Sequence, residues 1–355
     1  MGFAIFSDPL LRPVFWTGIG ILVLALLMLV TVLALRVALL LRRAREQRFI
    51  ETWRPLLMQS IDAVPSSLPK VDAADRITFL QLWNHLQESV RGEANANLNR
   101  MLVACGLEGY VGSLLDSRSV SKQLLGVSTL GHLRRPGMED RLRELADEPH
   151  PPLSLAAGRA ALQIDPARNL DWFILKFVER EDWPLAKVAS ILSIQGVDAV
   201  TGPLIEAIEK VAGTPGAGGK LARLLQLLEI AHASRAAPVV RRVLKESSDE
   251  RTIAVALRAL QDPRDLPLVR ELASHAAWIV RVQAAQALGR LGSGEDRKLL
   301  ASMLSDSHWW VRYRAAQALV ALPSVAPGEL EKIRAVLPDR FAADMLRQAM
   351  AEGRA

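Results

Sequence analysis

The run Gly213-Thr-Pro-Gly-Ala-Gly-Gly-Lys220 is where phosphate chemistry could sit in this 355-residue chain. A glycine-rich loop ending in Gly-Lys cradles phosphates when it reads G-x-x-x-x-G-K-[ST] after a strand. Read back from Gly219-Lys220, the first glycine position holds Thr214 and the magnesium-binding hydroxyl position holds Leu221. No strand pattern precedes it, so nucleotide binding is not expected. His85, His132, His150, His232, His275 and His308 are scattered, and no H-E-x-x-H occurs. The single Cys105 allows neither a disulfide nor a cysteine-based zinc site, and within Met101-Leu-Val-Ala-Cys it reads as a small buried apolar residue. Nucleophile elbows of the form G-x-S-x-G are absent. The carboxylate pairs Glu139-Asp140 and Glu181-Asp182 fall in inter-helix turns, where acidic side chains cap the next helix. The chain is therefore read as a non-enzyme with no catalytic residue, cofactor or metal.

Aromatic and arginine chemistry is concentrated near the carboxyl end. Trp278-Ile-Val-Arg-Val-Gln-Ala-Ala-Gln-Ala-Leu288 superposes on Trp309-Trp-Val-Arg-Tyr-Arg-Ala-Ala-Gln-Ala-Leu319 at an offset of 31 residues. Arg281 and Arg312 occupy one repeat position, which allows two readings. Each arginine bonds an acidic group or carbonyls of the adjacent unit, or Arg281, Gln286, Trp309, Trp310, Arg312, Arg314 and Gln317 contribute to a partner-binding patch. Aromatics and arginines dominate interface energy. Trp278 and one of Trp309 and Trp310 are expected in the core, since two consecutive helical residues cannot both point inward.

The elements that must position these residues are helical. Past residue 70, apolar residues recur at helical spacing between short Pro, Gly and Asp breaks. A marker leucine recurs at 130, 162, 192, 228, 260, 288 and 319, which predicts about seven helical units over 117–322. Gly126, Gly158, Ala256, Ala284, Ala285, Ala315 and Ala316, just before the markers, let stacked helices approach closely. The segment 212–220 is a flexible insertion. Residues 71–116, including Asp72–Arg91 with Ile77, Leu80, Trp83 and Leu86 on one face, read as an amino-terminal helical cap. Residues 323–355, broken at Pro338, read as a carboxyl-terminal one.

Half the chain is apolar and the formal charge is +6. Residues 13–35 carry no charge, roughly 35 Å of helix and enough to cross a bilayer core. The predicted order is a short extracytoplasmic stretch at 1–12, a transmembrane helix at 13–41, and a basic juxtamembrane helix and linker at 42–70. The basic cluster follows the apolar run instead of preceding it, unlike a cleaved signal peptide. Residues 36–54 hold six Arg and two Glu, which keeps that side in the cytoplasm of an inner membrane, with the amino terminus outside. Arg36, Arg42, Arg43, Arg45, Arg48 and Trp53 are the membrane-interface candidates; packing of Trp53 and Phe49 on the first soluble helix is the alternative. Removing this +4 leaves +2 for 55–355, so nucleic acid is not an expected partner.

The pattern W-x-V-R-x-x-A-A-x-A-L resembles the second helix of HEAT repeats, of the short bacterial type also found in phycobilin lyases. The resemblance spans about 205 residues and is most specific in the last two units. Membrane-anchored bacterial HEAT proteins with a basic stop and a Trp-Arg-Pro stretch, here Trp53-Arg54-Pro55, look similar. It implies an all-α chain, a transmembrane helix followed by a HEAT-like solenoid, that serves as a scaffold for a protein partner. Such an anchor would suit an envelope or polysaccharide machinery. A lyase-like enzyme on the same fold is the alternative, and nucleic-acid binding a lesser one.

Overall fold

The computed structural model describes residues 11–353 apart from 215, 324 and 338, so the expected break at Pro338 and most of the extracytoplasmic stretch lie outside the described residues. Among the described residues there are 19 α-helices and no strand, as the helical spacing requires. They form two compact units, divided between Arg135 and Pro136.

The first unit is built on α1 (Leu11–Gln59), a single helix of 49 residues. Its amino-terminal part is long and apolar enough to cross a membrane, and none of its most apolar stretch is buried in protein. Pro55 does not end the helix. Burial of Trp53, Leu57 and Ser60 holds the turns around it, and the Ser60 hydroxyl donates to the Leu56 carbonyl at 2.8 Å. The expected transmembrane and juxtamembrane segments are thus one continuous element.

Four helices complete this unit: α2 (Arg76–Ser89), α3 (Glu93–Ala104), α4 (Glu108–Leu114) and α5 (Val120–Leu133). The buried face of α2 is Phe79, Leu80, Trp83, Asn84 and Gln87, while Ile77 and Leu86 are only half-buried. Two amides join that face: Gln87 uses both ends of its amide, whereas Asn84 is engaged through its NH2 group and its Oδ1 has no partner among the described residues. Asn84 donates to Leu80 O (2.9 Å) and to the Thr129 hydroxyl (2.8 Å), and Gln87 donates to Asn99 Oδ1 (2.6 Å). The Trp83 indole donates to Leu98 O at 2.9 Å.

The second unit begins with α6 (Glu139–Asp147), α7 (Pro151–Ile164), α8 (Pro166–Glu179), α9 (Leu185–Ser193) and α10 (Val197–Ala212). It continues through α11 (Gly218–Leu227), α12 (Ala233–Glu246), α13 (Glu250–Ala259), α14 (Leu266–Leu272) and α15 (Trp278–Leu291). It closes with α16 (Arg297–Met303), α17 (Trp309–Ala321), α18 (Pro327–Val336) and α19 (Arg340–Glu352). Helices α11, α13, α15, α17 and α19 each pack on the next and form one layer; α8, α10 and α12 are consecutive neighbours in another. Local chemistry sets the boundaries. Asp165 and Asp249 accept the backbone N–H of Arg168 and Thr252 at the starts of α8 and α13, and proline opens α7 and α8.

All seven marker leucines are buried. Leu130 belongs to the first unit and the other six to the second, so the predicted array spans both. Of the small residues before the markers, Gly126 and Gly158 stand at close approaches, and Gly289, just after Leu288, stands at another. A Cβ on Gly289 would lie 2.9 Å from Cα and Cβ of Ala318 in α17, and one on Gly158 would lie 2.8 Å from the Trp183 ring. Large side chains there would force the layers apart.

Candidate functional site

The carboxyl-terminal repeats hold their arginines in carboxylate pairs between successive helix pairs. Arg241 pairs with Asp265 and, at 3.3 Å, with Asp262; Arg270 meets Asp296 at 2.6 Å. Asp265 and Asp296 are buried acids, and Asp296 also accepts the Ser293 N–H at 2.9 Å. Arg281 on α15 follows the same habit. Its Nε and Nη2 donate to Oδ2 and Oδ1 of Asp306 at 2.7 and 2.9 Å, and its Nη1 donates to the carbonyls of His275 (2.9 Å) and Ala276 (2.7 Å). Both side chains are mostly buried, at 14% and 12% exposure. Burial pushes the Asp306 carboxyl up, but the Arg281 guanidinium and the His308 N–H outweigh it and hold it below the usual carboxylate range. Arg281 therefore fastens one repeat to the next, with four of its five N–H donors taken up by the chain.

The tryptophans overturn the expectation of core positions. Trp278, Trp309 and Trp310 are exposed to 41, 47 and 46%. The apolar interior of α15 and α17 is filled instead by Val280, Val311 and the alanines, because the close approach of these helices leaves no room for indoles. Each indole lies on a neighbouring ring. Trp278 stacks on His308 with centroids 3.9 Å apart, Trp309 stacks on Tyr313 at 5.3 Å, and Trp310 meets Trp309 edge-on at 4.7 Å. A polar network fixes the far side of Tyr313, whose hydroxyl donates to Glu352 (3.1 Å) and accepts from Gln317 (2.9 Å). Gln317 in turn accepts from Arg314 at 2.7 Å.

Between α17 and α19 lies a groove of about 540 Å³ lined by Trp309, Arg312, Phe341, Met345, Arg347 and Gln348, with Asp344 and Ala351. Of the seven residues expected in a docking patch, Trp309 and Arg312 line this groove. Trp310, Arg314 and Gln317 surround Tyr313 beside it. Arg281 is engaged elsewhere, and Gln286 is half-buried one repeat earlier, outside the groove lining. Sequence reasoning missed Phe341, which is 72% exposed, although it stands 31 residues after Trp310 and so continues the repeat register.

The membrane-interface candidates also divide. Trp53 is 3% exposed, edge-on to Phe79 at 5.0 Å and stacked on Phe49 at 5.8 Å, so it belongs to the protein core. Arg45 donates to both carboxylate oxygens of Asp75 at 2.9 and 2.8 Å and reaches Asp72 at 3.5 Å. Arg36, Arg42, Arg43, Arg48 and Arg54 are exposed and make no ion pair among the described residues.

The remaining reactive types are engaged locally. Gly218-Gly219-Lys220 form the first turn of α11, and Gly218 O accepts from the Thr252 hydroxyl at 3.1 Å. Glu139 accepts the Gly137 N–H at 2.7 Å as α6 begins. Asp182, expected as a cap, is instead held by Arg180 at 2.8 Å. Cys105 is half-buried, and burial pushes its thiol up to about 11, away from the reactive thiolate.

A family model described as HEAT repeats matches residues 266–353, from α14 to α19. Among solved structures, the crystal structure of an engineered protein is 17% identical, with 84% of this chain and 88% of that chain covered and a TM-score of 0.35. No curated protein matches the chain. Fold and family match together define an all-α protein whose residues 266–353 form HEAT-like helical repeats. The repeats that carry the aromatic groove are those within the matched segment.

Proposed function

We propose that the chain is a non-catalytic, membrane-tethered scaffold whose HEAT-like repeats dock a protein partner at the cytoplasmic face of an inner membrane. The observation that carries this reading is the exposed ring cluster of Trp278, Trp309, Trp310 and Phe341 with arginines at its edge. Solvent exposure of four large rings on adjacent helices leaves apolar area that a partner would bury, and Trp and Arg are the residues richest in interface energy. The tether is supported by the uncharged stretch of α1 and by the five arginines beyond or within its end that pair with no carboxylate among the described residues. Anchoring raises the partner's effective concentration at the membrane.

Photo-crosslinking residues placed in intact cells at Trp310 and Phe341, with Arg251 on α13 as a control, test the docking face. A discrete adduct at the first two positions and none at Arg251 is expected. Uniform or absent adducts would remove the reading. A reporter fused after Ala355 that works only outside the cytoplasm would reverse the proposed orientation.

A further inference from the structure

Arg281 and Arg312 stand 31 residues apart in equivalent places, but among the described residues only Arg281 meets a carboxylate. Arg281 uses its Nη1 for the carbonyls of His275 and Ala276, and its Nε and Nη2 edge for the Asp306 carboxylate. Arg312 reproduces the first half of this arrangement. Its Nη1 donates to Asp306 O at 3.0 Å, the carbonyl that corresponds to His275 O. Its Nε, however, is shielded from water and has no hydrogen-bond partner. The reason is visible in the register: the residue 31 positions after Asp306 is Leu337. Asp339, two positions further on, accepts the Phe341 N–H as Asp306 accepts that of His308, but no carboxylate among the described residues pairs with Arg312 as Asp306 pairs with Arg281.

The unsatisfied arginine is one of the residues lining the groove. Two other charged residues line it, Asp344 and Arg347, and they pair with each other at 2.8 Å. The groove is therefore left with the charge of Arg312, beside the apolar surfaces of Trp309, Phe341 and Met345.

The geometry points to a carboxylate-recognition site on the Nε and Nη2 edge of Arg312, which a small rotation of the side chain toward the groove uncovers, since its Nε is shielded in the unbound chain. The occupant is an acidic segment of the partner protein that places one Asp or Glu against this edge and an adjacent apolar side chain against Trp309 and Phe341. Bound in this way, the segment takes the place that Asp306 takes on Arg281. A bidentate guanidinium–carboxylate contact is both stronger and more directional than a single neutral hydrogen bond. The inference rests on the docking reading and deepens it by naming the partner's chemistry.

The probe is a blocked, fluorescently labelled peptide, Leu-Ser-Asp-Ser-His-Trp, copied from residues 304–309, together with its Asn counterpart. Titrated into the detergent-solubilised full chain, the Asp peptide is expected to bind at least about 10-fold more tightly than the Asn peptide. Arg312→Gln should reduce the Asp peptide to the Asn level, while Arg312→Lys, which keeps the charge without the planar fork, should restore part of the difference. Equal binding of the two peptides, no binding at millimolar concentration, or indifference to Arg312→Gln overturns the proposal. Because the peptide pair is compared on the unaltered chain, a folding defect in the variant cannot decide the outcome. Crosslinking at Phe341 separates the two levels. A discrete adduct that persists in Arg312→Gln leaves docking in place and removes the carboxylate site, whereas no adduct in the unaltered chain removes docking itself.

Discussion

Tryptophan and arginine are used in opposite senses in two regions of this molecule. Along α1, Trp53 is buried against Phe79, while Arg36, Arg42, Arg43, Arg48 and Arg54 reach no carboxylate among the described residues. In α15 and α17 the indoles are exposed, and Arg281 is mostly buried in a bidentate pair with Asp306. Residue type does not decide the role. Helix spacing does: α15 and α17 meet at Gly289 and Ala318, where no large ring fits, whereas α1 and α2 leave room for Trp53 edge-on to Phe79. Arginine then goes where a carboxylate is presented, and the inter-helix turns of the repeats present one to Arg241, Arg270 and Arg281 in succession.

The largest expected effect comes from breaking the first half of this contrast. Trp53→Ala should destabilise the first unit by about 3 kcal/mol, the usual cost of removing a buried aromatic ring, and hydrogen exchange of the α2 amides would register it. If those amides exchange at the unaltered rate, Trp53 is not part of that core. A smaller loss is expected from the second half. Asp306→Asn should cost about 2 kcal/mol at neutral pH, because it leaves a mostly buried guanidinium without its counter-charge. The sign of its pH dependence follows from a carboxyl held lower in the folded state than in the unfolded one. The stabilisation is complete above the ordinary carboxylate value of about 3.9 and is lost as pH falls through the lowered folded value. Urea midpoints of the two proteins should therefore converge below about pH 4. A gap that stays constant down to pH 2 would contradict the ion-pair account.

The smallest effect on stability should come from the exposed rings. Trp310→Ala is expected to shift the unfolding free energy by less than about 0.5 kcal/mol, as surface substitutions usually do. It should nevertheless weaken crosslinking at Phe341. A large loss of stability with crosslinking intact would recast the ring cluster as structural.

Much of the fold was legible because it depends on periodicity. The leucine register at 162, 192, 228, 260, 288 and 319 located helices of the second unit, and the glycines and alanines before it located the close approaches. Less of the site was legible. Trp278, Trp309 and Trp310 looked like core residues because hydrophobicity marks a preference for burial without saying which face of a helix has space. Trp53 looked amphipathic for the same reason, since Phe79 is 26 residues away in the chain. Phe341 could have been found by extending the 31-residue register past Leu319.

By itself, the sequence determined an uncharged span followed by arginines, an all-helical chain and a repeat of helix pairs. These are properties of local spacing, to which hydrophobic periodicity and helix capping respond directly. Only the tertiary structure decided which arginines are satisfied and which aromatic rings remain uncovered. Both depend on what an adjacent element presents within a few ångströms, as with Asp306 beside Arg281 and, among the described residues, no carboxylate paired with Arg312.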